Sequence, residues 1–136
     1  MKGMSNVLRV ATATVVAAHG FIHLIGFVVP WGLATVEGFA YRATALDGAI
    51  VLGDGGARAL GVLWLVCAVG FVVAGLGIWR RAPWALPLAA ALAVVSIAAC
   101  VLGLPETVAG IAVNAAILGG VAWTSRIRPQ VAEATR

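Results

Sequence analysis

The chain has 136 residues, of which 62% are hydrophobic and only 10% are charged. Soluble domains are typically about 45–50% apolar and about 25% charged, so this composition excludes a soluble monomer and a disordered tail. The net charge of +4 would suit a nucleic-acid partner only if the basic residues formed a patch. They lie instead at the ends of apolar runs. The expected partner is therefore the lipid bilayer, and no nucleic-acid binding is expected.

Four apolar runs are long enough to cross a bilayer, which takes about 20 helical residues. They predict spans over residues 7–29, 58–79, 83–103 and 107–124. Pro30 and Pro105 lie between runs, where prolines are best tolerated. The predicted fold is a single all-α domain, a four-helix transmembrane bundle with an outer loop over 31–57 and a tail over 125–136.

The distribution of charge predicts an orientation for this bundle. Two basic residues, Arg42 and Arg58, lie on one side of the spans; the other seven lie on the side of the termini, at Lys2, Arg9, Arg80, Arg81, Arg126, Arg128 and Arg136. Four of the five acids share the side of Arg42, at Glu37, Asp47, Asp54 and Glu106. Because positive residues favour the cytoplasmic side, we expect a multi-pass plasma-membrane protein with both termini in the cytoplasm.

The first outer loop contains a turn signal. Asp47-Gly48 lies between residues that favour strands, a combination typical of a β-hairpin. A short extracellular hairpin over the bundle is one prediction, and a mobile loop is the alternative.

Small residues recur within the spans. Gly70 and Ala74 are four residues apart, as are Ala116 and Gly120, and this spacing allows helices in lipid to approach closely. Packing within one bundle explains the pattern, and a homodimer face is the alternative. Cys67 and Cys100 both lie in apolar runs and are expected to pack as small hydrophobic residues.

Two ionisable residues, His19 and His23, lie inside the first span, where such groups are costly and are candidates for function. Their spacing of four places them on one face of a helix. At about 1.5 Å of rise per residue, His23, Trp64, Ser96 and Asn114 each lie about 10 Å below the predicted outer boundary, and His19 lies about 6 Å deeper. We therefore expect residues of all four helices to meet at one level.

This cluster favours a binding site for a small lipophilic molecule with one polar group. Trp64, Ser96 and Asn114 would line it, and His23 or His19 could act as an acid or base in an isomerase, cyclase or hydrolase. Acids of the outer side would join as further substrate-binding residues: Glu37, Asp47, Asp54 and Glu106. In the competing interpretation, the same polar groups simply hydrogen-bond one another and hold the helices together.

A metal or haem held by His19 and His23 is a weaker alternative. Two histidines at i and i+4 match one arm of a metal site, but no carboxylate or thiol is clearly level with both. We therefore predict no cofactor and no metal ligand.

The segment HGFIHLIGF (19–27), together with VPWGLA (29–34), LGDGGARALGVLW (52–64), Ser96 and GIAVNAAIL (110–118), resembles a group of small four-span actinobacterial membrane proteins. Some of that group are labelled as ABC transporter permeases. The architecture is also similar to the DoxX-like membrane proteins, some of which are quinone-linked oxidoreductase subunits. The resemblance implies a four-span fold and keeps a small permease, or an accessory or assembly subunit of a larger complex, as the alternative function.

Overall fold

The computed structural model describes residues 5–134 of the chain and the side chains of residues 5–124. Its four helices are α1 (Asn6–Val28), α2 (Gly53–Trp79), α3 (Ala85–Leu102) and α4 (Val108–Ala134), and two short strands, β1 (Thr44–Ala45) and β2 (Ile50–Val51), lie between α1 and α2. Four of the basic side chains used above to predict the orientation lie outside the described ones, namely Lys2, Arg126, Arg128 and Arg136.

Local sequence explains where these helices begin and end. The Ser5 hydroxyl accepts a hydrogen bond from the Leu8 amide at 3.2 Å and so caps α1, which ends shortly before Pro30. Helix α2 begins five residues before its predicted span, with Asp54 in the first turn, where a carboxylate favours the helix dipole. Helix α4 continues ten residues beyond the predicted span end at Thr124.

Successive helices pack on one another, α1 on α2, α2 on α3 and α3 on α4. The buried residues between them are mostly small, as at Ala74 and Ala93, whereas large apolar side chains such as Phe21, Val66 and Val94 point outward and are more than half exposed. Small residues inside and large apolar residues outside are typical of helices packed in lipid.

The prediction of a helical fold with apolar helices of membrane-spanning length is confirmed at this level. Helices α1, α2 and α3 are each long and apolar enough to cross a membrane. The apolar part of α4 with described side chains, Val108–Thr124, is shorter, so the fourth span stays a prediction.

One end of the bundle, which we call the arginine end, joins the start of α1 to the end of α2. The Arg9 guanidinium donates to the Trp79 carbonyl at 2.6 Å, and Arg81 donates to the Asn6 side-chain oxygen at 2.8 Å. Arginine suits this position because the last carbonyls of a helix lack partners within the helix.

The opposite end, which we call the hairpin end, carries the strands. Strand β1 pairs antiparallel with β2, with Thr44 opposite Val51 and Ala45 opposite Ile50. The Leu46 amide then donates to the Leu102 carbonyl at 3.0 Å. This bond fixes the hairpin against the last turn of α3, above the space between the helices.

The close approach of α1 and α2 depends on glycine. A methyl group at Gly75 would lie 2.8 Å from the Ala13 carbonyl oxygen, which is backbone and cannot move aside cheaply. We expect Gly75→Ala to lower the free energy of unfolding by about 1–3 kcal/mol, the usual cost of overpacking. Thermal and denaturant unfolding in detergent would measure the loss.

The matched control for this change is Gly119→Ala on α4. It adds the same methyl group in a helix, but nothing lies within 4 Å of the added carbon. We expect the stability of this variant to equal or slightly exceed that of the native chain. Equal stability of the two variants would contradict the close packing of α1 on α2.

Candidate functional site

Three helices meet in a buried polar cluster near the middle of the bundle. His19 and His23 on α1 face Asn114 on α4 and Ser96 on α3, and none of these four residues is more than 4% exposed. His19 Nε2 lies 3.1 Å from Asn114 Oδ1, His23 Nε2 lies 2.6 Å from Ser96 Oγ, and Asn114 Nδ2 lies 2.7 Å from Ser96 Oγ. These hydrogen bonds bring together four of the side chains that the sequence predicts to lie near one another.

A backbone carbonyl locates the protons of Asn114 and His19. The Asn114 amide nitrogen lies 2.9 Å from the Gly110 carbonyl oxygen, which can only accept, so the amide nitrogen must face it. The amide oxygen is then the atom facing His19, and it too can only accept. His19 therefore carries its proton on Nε2 and donates it to Asn114.

A second carbonyl locates the protons of His23 and Ser96. His23 Nδ1 lies 2.8 Å from the His19 carbonyl oxygen, so Nδ1 is the donor. In a neutral imidazole the other nitrogen is then an acceptor, and the Ser96 hydroxyl donates to it. Each residue donates to the next in the order His19, Asn114, Ser96, His23, and His23 donates back to the backbone of His19.

Two aromatic residues of α2 pack against the imidazole rings. The Phe71 ring centroid lies 5.0 Å from that of His19 and 5.2 Å from that of His23, and the Trp64 centroid lies 5.1 Å from that of His23. A methyl group at Gly26 would lie 2.5 Å from the Trp64 ring. The indole can therefore lie against α1 only because residue 26 is glycine.

A cavity of about 160 Å³ opens above the histidines toward the hairpin end. His19 and His23 line its floor with Trp64 and Cys100, and its walls include apolar residues such as Leu60 of α2. The hairpin segment and the α3–α4 connection complete the lining and include the polar residues Arg42, Asp47 and Glu106.

Arg42 lies at the mouth of this cavity and pairs with an acid on either side of it. Its guanidinium lies 3.2 Å from Asp47 in the hairpin turn and 2.6 Å from Glu106 in the α3–α4 connection. The cation thus joins the cover of the cavity to its far wall. A second recess, lined by Trp31, Arg58, Tyr41 and Asp54, lies beside the cavity. In this recess, a hydrogen bond to Asp54 raises the pKa of the Tyr41 hydroxyl.

The structure separates the predicted site residues into groups. His19, His23 and Trp64 line the cavity, whereas Ser96 and Asn114 are not among its lining residues and contact the histidines instead. Asp47 and Glu106 lie at the mouth, and Asp54 lines the neighbouring recess. Glu37 lines neither cavity and is exposed.

Sequence reasoning missed three contributors to this site. Cys100 lines the cavity as well as packing in the core, and its signal is its position one turn after Ser96. Arg42 stands out in the sequence only as a cation on the acidic side. Phe71 carries no signal, because its contact with both histidines depends on how α2 is rotated against α1.

Among the described side chains, those of residues 5–124, no three His, Cys, Asp or Glu are grouped so that they could hold a metal ion. The cavity floor offers imidazole, indole and thiol groups, and its mouth offers carboxylates. The arrangement therefore offers hydrogen-bonding groups at the floor and charged groups at the mouth.

Comparison with known proteins returned no relative. No family model matches the chain, and no curated protein or solved structure matches it.

The proton positions derived above predict opposite tautomers for the two histidines of the chain. We expect ¹⁵N NMR of histidine-labelled protein to show His19 protonated on Nε2 and His23 protonated on Nδ1. Asn114→Ala removes the acceptor of His19 and should displace the Nε2 resonance of that residue most. Finding the same tautomer at both positions would disprove the cyclic order of donors.

The role of Arg42 predicts a change in the reactivity of Cys100. Arg42→Gln removes the partly exposed ion pair with Glu106 that spans the mouth. Such a pair is typically worth about 0.2–1 kcal/mol, so opening of the mouth should become about 1.5- to 5-fold more frequent. Mass spectrometry would follow labelling of Cys100 by a small maleimide, and Cys67, which is not a lining residue, serves as the internal reference.

Arg58→Gln is the matched control for this experiment. Arg58 also lies at the hairpin end, but its guanidinium packs 5.9 Å from the Trp31 ring and not across the cavity mouth. Labelling of Cys100 in this variant should proceed at the native rate. An equal increase in both variants would mean that Arg42 does not close the cavity.

Proposed function

We propose that this protein binds a small lipophilic molecule in the cavity between the histidine floor and the hairpin. The observation that supports the proposal most is the combination of mostly apolar walls with two buried imidazoles at one end. Binding pockets for small molecules have this character, with a few placed polar groups in a largely apolar lining.

The size of the cavity favours a ligand, or part of a ligand, of about one six-membered ring. A cavity of about 150 Å³ is enough to bind benzene, and this one measures about 160 Å³. A longer molecule would place its ring on the floor and leave the rest toward the mouth.

The proposal includes the orientation in the membrane. The arginine end holds Arg9, Arg80 and Arg81, whereas the side of the hairpin end holds two cations, Arg42 and Arg58, and four acids, Glu37, Asp47, Asp54 and Glu106. By the preference of cations for the cytoplasmic side, both termini would be cytoplasmic, α4 would supply the fourth span, and the hairpin would cover the cavity from outside.

The cavity also supports acid–base catalysis as an extension of binding. A histidine can take or give a proton near neutral pH, and His19 and His23 both line the floor. In an isomerase, cyclase or hydrolase of this kind, a histidine of the floor would act on the bound molecule, while Ser96 and Asn114 would hold the imidazole rings in place.

A purely structural role for the cluster is the main competitor. Three of its hydrogen bonds join different helices, and at about 0.6 kcal/mol each such bonds would contribute about 2 kcal/mol to the bundle. An assembly subunit would need this contribution and no ligand. A permease would also need a binding site, but would move its substrate across a vesicle membrane.

The test uses 4-fluorotoluene, a single-ring apolar probe, with ¹⁹F NMR of the protein in lipid nanodiscs. We expect a saturable bound signal that is distinct from the signal of probe dissolved in lipid. Ala57 is a buried residue of the cavity wall, so Ala57→Leu should fill part of the cavity and weaken binding at least several-fold.

Ala116→Leu is the control, since Ala116 is exposed on α4 and does not line the cavity. It adds the same side chain and should leave binding of the probe unchanged. Absence of saturable binding to the native chain, or equal loss in both variants, would overturn the proposed function and favour the structural role.

A further inference from the structure

We infer that the molecule bound in this cavity donates a hydrogen bond, as a hydroxyl group does, to Nδ1 of His19. This inference rests on the proposed binding function and adds the chemical class of the ligand. It follows from the order of donors in the polar cluster and from the groups that this order leaves without a partner.

The order leaves His19 with one free nitrogen. Since Nε2 carries the proton and donates it to Asn114, Nδ1 of the neutral ring is a hydrogen-bond acceptor. No described residue donates a hydrogen bond to Nδ1 of His19. The residue is only 4% exposed and lies within the core of the bundle. Because His19 is so enclosed, this acceptor can gain a partner only from a molecule in the cavity, and a ligand that donates to it would gain a hydrogen bond.

This nitrogen keeps contact with open space. Among the described residues, the sole fully buried side-chain nitrogen or oxygen without a hydrogen-bond partner is Arg9 Nε, so Nδ1 of His19 retains accessible surface. His19 is otherwise enclosed by its ring contacts with His23 and Phe71, and it lines the cavity. The accessible surface of Nδ1 therefore belongs to the cavity floor.

The other polar groups of the floor narrow the choice of ligand. Both nitrogens of His23 are engaged, and the indole nitrogen of Trp64 is a donor without a partner among the described residues. An ether or carbonyl oxygen could accept from Trp64 but would leave His19 unsatisfied. A hydroxyl can donate to His19 and still accept, so alcohols and phenols fit the floor best.

The experiment compares three probes of similar size by ¹⁹F NMR in nanodiscs: 4-fluorophenol, 4-fluoroanisole and 4-fluorotoluene. After correction for partition into lipid, we expect the phenol to bind about 2- to 12-fold more tightly than the anisole, the ratio that one net neutral hydrogen bond supplies, and at least as much more tightly than the toluene. In ¹⁵N-histidine spectra, the phenol should shift the His19 Nδ1 resonance, and the toluene should not.

Trp64→Phe removes the indole N–H but keeps an aromatic wall, and the preference for the phenol should survive in this variant. Loss of the preference there would mean that the hydroxyl is recognised as an acceptor by Trp64, which would overturn the inference. Equal binding of all three probes to the native chain would also overturn it while leaving the binding function intact. Failure of all three probes to bind would overturn both.

Discussion

The cost of an unpartnered polar group in hydrocarbon is the constraint on which this structure depends. Three helices carry polar side chains at one depth, and their rings, amide and hydroxyl can be buried together only if every donor finds an acceptor. Two backbone carbonyls, at Gly110 and His19, accept from the cluster and fix which atoms donate. The positions of α1, α3 and α4 relative to one another are thus set by hydrogen bonding as well as by packing.

Much of this arrangement could be predicted from the sequence. Hydropathy and proline positions predict four helices, and the spacing of His19 and His23 places them on one face. Equal depth predicts that Ser96, Asn114 and Trp64 meet them, since helix rise fixes depth to within a turn. Depth, however, does not determine rotation, so the sequence could not distinguish residues that line the cavity from residues that lie behind its floor, as Ser96 and Asn114 do.

The Asp47-Gly48 turn signal predicts a hairpin in the first loop, but the contacts that hold this loop over the cavity were beyond sequence reasoning for a different reason. Its contacts join segments far apart in the chain, the hairpin and the α3–α4 connection, through Arg42 and through the Leu46 amide. The position of a loop depends on such single contacts, and no periodic pattern of residues in the sequence indicates them. The site therefore combines a floor set by helix geometry, which sequence predicts well, with a cover set by a few long-range contacts, which sequence alone does not predict.

The outward position of the large apolar residues has a consequence for recognising relatives. Lipid accepts valine, leucine, isoleucine and phenylalanine almost alike, so residues such as Phe21, Val66 and Val94 are free to interchange as sequences diverge. The contacts described above restrict substitution at a few widely spaced positions: His19, His23, Gly26, Gly75, Ser96 and Asn114. Chains that share this architecture would therefore be detected by that spaced pattern of polar and glycine positions rather than by overall percentage identity.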